Sequence, residues 1–185
     1  MQNDFYELRK DSWKKSAENY NVWISAAERN LFLAEYLCKK YLETNEKIVT
    51  KSNKFLGGTI TRGEWNLSSI HKEVLMFYGF AIECYLKALL VKEEVIEIFD
   101  EKNEFKLHEK LCKHLSVGFY EDYKENFPKI NNNGKKHIGY LHRAILSGKY
   151  PFEKSPSKYF AYTAYFNNTV TFSKKLIFEI KKLLE

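Results

Sequence analysis

Proline is scarce in this chain, three in 185 residues, and that scarcity permits long helices. Cysteine is equally scarce. Cys38, Cys84 and Cys112 are odd in number and far apart, which excludes the paired framework of a small disulfide-stapled domain. Cys38 and Cys84 fall within apolar helical patterns and read as small buried hydrophobes. A reduced, cytoplasmic setting is expected. The N-terminus, MQNDFYELRKDSW, has no continuous apolar core and does not read as a secretory signal. There is no internal repeat, no P-loop, no dinucleotide fingerprint, no Ser or Cys nucleophile motif and no paired-carboxylate pattern. No segment shows the alternation of a half-buried strand. TITR at 59–62 is the one candidate, and it is too short.

What is present is length, positive charge and aromatic side chains. A chain of 185 residues fits a single domain, 1–185, and buries a core without metals or disulfides. The net charge of +6 favours anionic partners, although a lysine-rich solubilising face is the simpler account of it.

The stretch Val74 to Val91, VLMFYGFAIECYLKALLV, organises the rest. It is apolar on nearly every side, as in a membrane span or the centre of a bundle. At 18 residues it is marginal for a bilayer, which takes about 20. Its two charges, Glu83 and Lys87, stand four apart with the acid first, the favourable order for an ion pair on one helical stripe. Both would be costly in lipid. The expectation is therefore a buried helix with no membrane association, and with Glu83 and Lys87 either paired or lining a pocket.

Around it the chain reads as helices. Trp13, Ala17, Tyr20, Ile24, Ala27, Leu31, Ala34, Cys38 and Tyr41 recur at three- and four-residue steps, which predicts one continuous helix over 12–43, capped by Asp11 or Ser12 after a loose lead-in. Residues 44–66 break the pattern and predict a long basic loop. A second long helix follows to about Glu94. Gly79 inside it costs about 1 kcal/mol against Ala, so a closely approaching neighbour is expected there. Residues 95–106 read as a charged turn. Leu107, Leu111 and Leu115 predict a helical stripe ended at Gly118, and FYEDYKENF a short helix ended by Pro128. NNNG at 131–134 is a turn signal. The next helix turns Ile138, Leu141 and Ile145 inward and closes at Gly148. A last helix to about 184 turns in Phe166, Val170, Ser173, Ile177, Ile180 and Leu184. The fold class expected is all-α, an up-and-down helical bundle of four to six helices.

Few residues offer chemistry. His142 and Arg143 stand side by side, a proton carrier and a phosphate fork. The plainer account makes His142, between Ile138 and Ile145, a half-buried helix residue with a local hydrogen bond. Lys136 adds positive charge but not the planar fork of Arg. His108, Cys112 and His114 lie close in sequence, but only the first two share a helical face, and zinc wants three or four ligands. No metal or cofactor is implied. The basic and aromatic run 149–166 could stack single-stranded bases, or pack against the last helix.

In the central helix, Ala81, Glu83, Leu86, Lys87, Ala88 and Leu89 reproduce an Ala-x-acid-x-x-Leu-Lys-Ala-Leu pattern. Leu107-His108 with Leu111, and Lys149-Tyr150-Pro151, follow in order. In these features the chain resembles the HEPN domains, small helical bundles of prokaryotic toxins, defence proteins and nucleotidyltransferase partners. The resemblance spans about 70–155. It implies a HEPN-like bundle that pairs as a homodimer near 132–151, with His108, Lys149 and Tyr150 at binding or turn positions. It also implies RNA, a nucleotide or a nucleotidyltransferase-like protein as partner. The family's nucleases carry an Arg, a polar residue and then a His after four to six residues. Arg143 is followed by AILSGKYPFEKSPS, without a His. The expectation is a binding module in a defence or toxin–antitoxin setting. The alternative is a divergent metal-independent ribonuclease using His142 and Arg143.

Overall fold

The computed structural model describes residues 2–53, 70–100, 103–148 and 162–185; at 2–6, 47–53, 103–105, 148 and 162–163 only the backbone is described. Lys149 and Tyr150, TITR and most of the expected basic loop therefore lie outside the described residues. In chain order the elements are α1 (Gln2–Glu18), α2 (Tyr20–Asn53), α3 (His71–Lys92), β1 (Phe99–Asp100), β2 (Asn103–Leu107), α4 (Val117–Asp122), α5 (Asn132–Gly148) and α6 (Tyr162–Leu184). The protein is mostly helical, as expected.

α3 is the axis. It packs against α2, α5 and α6, and 15 of its 22 residues are buried. A helix with neighbours on three sides needs apolar side chains around most of its circumference. Among the described residues it is the one helix long and apolar enough to cross a membrane, and 78% of that apolar window is buried inside the bundle. At Gly79 the approach of α5 is close. A Cβ there would lie 2.9 Å from Ile145 Cδ1. α3 ends in a Schellman turn: Glu94 N–H reaches Val91 C=O, and Val95 N–H reaches Leu90 C=O at 3.0 Å. Glu94 takes the left-handed position of that turn, with φ 51°.

Several boundaries differ from the periodicity. The helix predicted over 12–43 is two helices, already formed at residue 2 and continuing to Asn53. The break falls at Asn19, whose Oδ1 accepts the Asn21 N–H at 3.0 Å, while Trp23 Nε1 donates to Ala17 C=O at 3.0 Å. A side-chain cap at the start of α2 and an indole at the end of α1 satisfy groups that a helix end leaves open. Asp11 and Ser12 lie inside α1. Residues 95–106 hold a short antiparallel pair rather than a turn alone, with Phe99 opposite Leu107 and Asp100 opposite Asn103. Phe99 packs against Trp13 of α1, ring centroids 5.2 Å apart and planes tilted by 54°.

The stripe Leu107, Leu111, Leu115 is not a helix. Leu107 ends β2, and residues 108–113 close three i→i+3 turns. Leu111 and Leu115 are still buried. Gly118 lies within α4, which Ser116 caps by accepting the Phe119 N–H at 3.0 Å. The Asn-rich turn is the start of α5. Asn131 Oδ1 accepts the Gly134 N–H at 2.9 Å. Ile138, Leu141 and Ile145 point inward and are fully buried. On α6 the buried face is Phe166, Val170, Ser173, Ile177 and Ile180, with Leu184 packed at its edge.

Candidate functional site

Glu83, paired with Lys87, and His142 meet at one residue, Leu115. Lys87 Nζ donates to Glu83 Oε1 at 2.6 Å, with both side chains under 10% exposed. The other carboxylate oxygen accepts the Leu115 N–H at 2.8 Å and lies 3.3 Å from His114 Nδ1. Lys87 Nζ also sits 5.8 Å from the centre of the Trp23 ring. His142 Nδ1 donates to Leu115 C=O at 2.5 Å. The segment after the strand pair is thus held by α3 through its N–H and by α5 through its C=O. Both backbone groups of Leu115 are taken by side chains far away in sequence, so neither is available to the helix that the leucine spacing predicts.

This node is architectural. A carbonyl partner fixes the proton of neutral His142 on Nδ1. Arg143 follows it but projects about 100° further round α5, where it is exposed. His142 therefore faces residue 115, and Arg143 faces outward. His108 is in the turn after β2, where its Nδ1 accepts the Lys110 N–H at 3.3 Å. Cys112 is in the following turns and is exposed, so the shared helical face assumed for His108 and Cys112 does not exist. Burial pushes the Cys84 thiol up to about 11, which removes thiolate chemistry at neutral pH.

A second locus runs between α5 and α6. The helices are antiparallel, and their side chains meet in rungs. His137 Nδ1 lies 3.0 Å from Thr169 Oγ1, and the His137 ring stacks on Phe172 at 5.0 Å and 25°. One turn on, Tyr140 stacks on Tyr165 at 4.5 Å and 30°. Lys136 and Arg143 lie on the exposed side of the same helix, and Tyr165 is 41% exposed. At the other end a groove of about 500 Å³ opens between residues 128–134 and α6, with Lys129, Lys175 and Glu179 among its walls. Of the residues singled out by sequence, Lys136 and Arg143 belong to this side; Glu83, Lys87 and His142 belong to the node; His108 belongs to neither.

His137 and Tyr140 carry no sequence motif, whereas Tyr165 lies at the end of the aromatic run 149–166. The available signal was the i,i+3 spacing of Gly134, His137 and Tyr140, set against the four- and three-residue steps of Tyr165, Thr169 and Phe172 on the following helix. Compared with known proteins, the chain matches no family model, no curated protein and no solved structure.

Proposed function

We propose that the chain is a HEPN-like module that binds single-stranded RNA along the outer edge of α5 and α6 without cutting it, in a defence or toxin–antitoxin setting. The observation that supports this reading is the Tyr140–Tyr165 stack beside the exposed cations Lys136 and Arg143. Stacked, partly exposed rings next to a line of positive charge suit bases on one side and phosphates on the other. The net charge of +6 adds long-range attraction. Against cleavage stand two features. Arg143 lacks the downstream His of the family's nucleases, and the Nδ1 of His142 is tied to a backbone carbonyl.

The test is anisotropy of a labelled unstructured RNA, with and without EDTA, across a salt series. Binding should weaken steeply as salt rises, because counterion release drives it. Tyr165→Ala should cost about 1–3 kcal/mol, roughly one base stack. Robust cleavage by the parent, lost in both His142→Ala and Arg143→Ala while the fold is kept, would instead establish a ribonuclease. No binding at low salt removes the RNA reading and leaves a protein partner.

A further inference from the structure

The groove at the start of α5 differs chemically from the aromatic edge beyond it. His137 lines it and is 7% exposed. Its Nδ1 faces the hydroxyl of Thr169, a residue with no exposure at all. The hydroxyl hydrogen of Thr169 has to be placed, because a buried unpaired donor is costly. Among the described residues its hydrogen-bond partner is His137 Nδ1. Thr169 therefore donates, Nδ1 accepts, and the proton of the neutral ring sits on Nε2. Burial holds the His137 pKa below the usual histidine value, so the neutral ring is the resting form. Nε2–H has no protein acceptor among the described residues, yet it is not sealed in the core. It belongs to a residue that lines the groove.

Further donors converge there. The first turn of α5 leaves N–H groups that the helix cannot use internally. Asn131 takes up the Gly134 N–H, which leaves that of Asn133 beside the groove. The helix dipole adds partial positive charge at the same place. Lys129 and Lys175 bring two full charges. The one carboxylate of the lining, Glu179, lies 3.6 Å from Lys182 Nζ. Phe172 and Ile130 close the floor, and Gly134 is required beneath them, since a Cβ would lie 2.9 Å from Ile130 Cβ and 3.1 Å from Phe172 Cε2.

We propose that this groove is a site for a phosphomonoester group, reached by the terminal phosphate of an RNA strand or by a free nucleotide. The proposal rests on the RNA reading above and gives the bound strand an end. The lining offers an imidazole, one free backbone donor of the first helical turn and two lysines. They suit the three terminal oxygens and double charge of a phosphomonoester. A volume of about 500 Å³ holds a nucleotide-sized group.

The experiment compares 5′-phosphorylated, 3′-phosphorylated and unphosphorylated versions of one RNA oligonucleotide by anisotropy. In parallel, the His137 ring signals are followed by NMR as inorganic phosphate and a nucleoside monophosphate are added. One phosphorylated end should bind roughly tenfold or more tightly than the hydroxyl end, the worth of one charge-assisted contact. That ratio should fall towards one in His137→Leu and in Lys175→Gln; the second is a surface change that spares the fold. Equal affinities for all three oligonucleotides, with unmoved His137 signals, would overturn the site and leave RNA binding along the edge standing. Saturable His137 shifts with phosphate, but no RNA binding of any kind, would support the site for free nucleotides and refute the edge. A phosphate preference that persists in both variants would overturn the assignment to this groove.

Discussion

Neutralising Glu83 tests the central node most directly. In Glu83→Gln the amide oxygen can still accept the Leu115 N–H, so the anchoring of residue 115 is kept while the charge is lost. What remains is the Lys87 ammonium, 5% exposed and 2.6 Å from an uncharged group. Stranding one partner of a buried ion pair costs about 3–5 kcal/mol. The Trp23 ring, 5.8 Å from Nζ, offsets part of that by attraction to its face, about 0.5–2 kcal/mol. The expected loss is about 2–4 kcal/mol. For a chain of 185 residues each kcal/mol moves Tm by about 2–4 °C, so Tm should fall by about 4–16 °C. Lys87→Met added to Glu83→Gln removes the stranded charge at similar volume. The double variant should return to within about 1 kcal/mol of the parent, since exchanging a whole buried pair for neutral groups is often neutral. Urea melts with a common m-value give the four corners of the cycle. A loss below about 1 kcal/mol in Glu83→Gln, or no recovery in the double variant, would refute the view that this pair is a buried, mutually dependent unit.

Further expectations concern packing, strain, acid and assembly. Gly79→Ala gains about 1 kcal/mol of helix propensity but overpacks Ile145 at a cost of about 1–3 kcal/mol, so the net should be a loss of up to about 2 kcal/mol. In an Ile145→Val background, which lacks the Cδ1 atom 2.9 Å away, the same change should be neutral or stabilising in urea melts. Glu94→Gly should raise stability by about 0.5–1 kcal/mol, because relief of the left-handed φ outweighs the added freedom of the unfolded chain. Burial lowers the pKa of both His71 and His137 from the usual 6.5. The unfolded chain therefore takes up protons first, and stability should fall as pH drops below about 6.5 towards the folded values; Tm measured from pH 7.5 down to 5 should show a slope that is smaller in His137→Gln. The homodimer implied by the HEPN resemblance near 132–151 would cover Leu146, which is 45% exposed; sedimentation at micromolar concentration giving only a species of 22.0 kDa would sink it.

Local patterns carried the fold as far as local physics decides it. The all-round apolarity of 74–91 was enough to place α3 at the centre, because few soluble environments other than a bundle interior accept such a surface. The glycine in its middle was enough to expect the approach of a neighbour, which proved to be Ile145. The inward faces of α5 and α6 followed from the same 3.6-residue period. Where one side chain decided the matter, periodicity was blind. The apolar steps run through Ala17, Tyr20 and Ile24 without a flaw, yet the helix breaks at Asn19, because a cap depends on where one amide oxygen points. β1 and β2, of two and five residues, are too short to show an alternation against their charged neighbours.

The leucine stripe failed for a different reason, and that reason bears on the site. Its spacing is helical, but the backbone of Leu115 is claimed by Glu83, 32 residues earlier, and by His142, 27 residues later. Long-range partners of this kind leave no local trace. Glu83, Lys87 and His142 drew attention because acids, bases and imidazoles are the side chains of catalysis. Two of the three are buried, and the third gives its Nδ1 proton to a backbone carbonyl, so their chemistry holds a loop against the bundle. His137 drew none, since nothing beside it in sequence is charged on its own face. Its place in the groove arises only when α6 supplies Thr169 to its Nδ1 and Lys175 to the same lining. A buried imidazole whose Nδ1 is taken by a hydroxyl keeps Nε2 as its remaining polar atom, and under the phosphate proposal that atom meets the ligand.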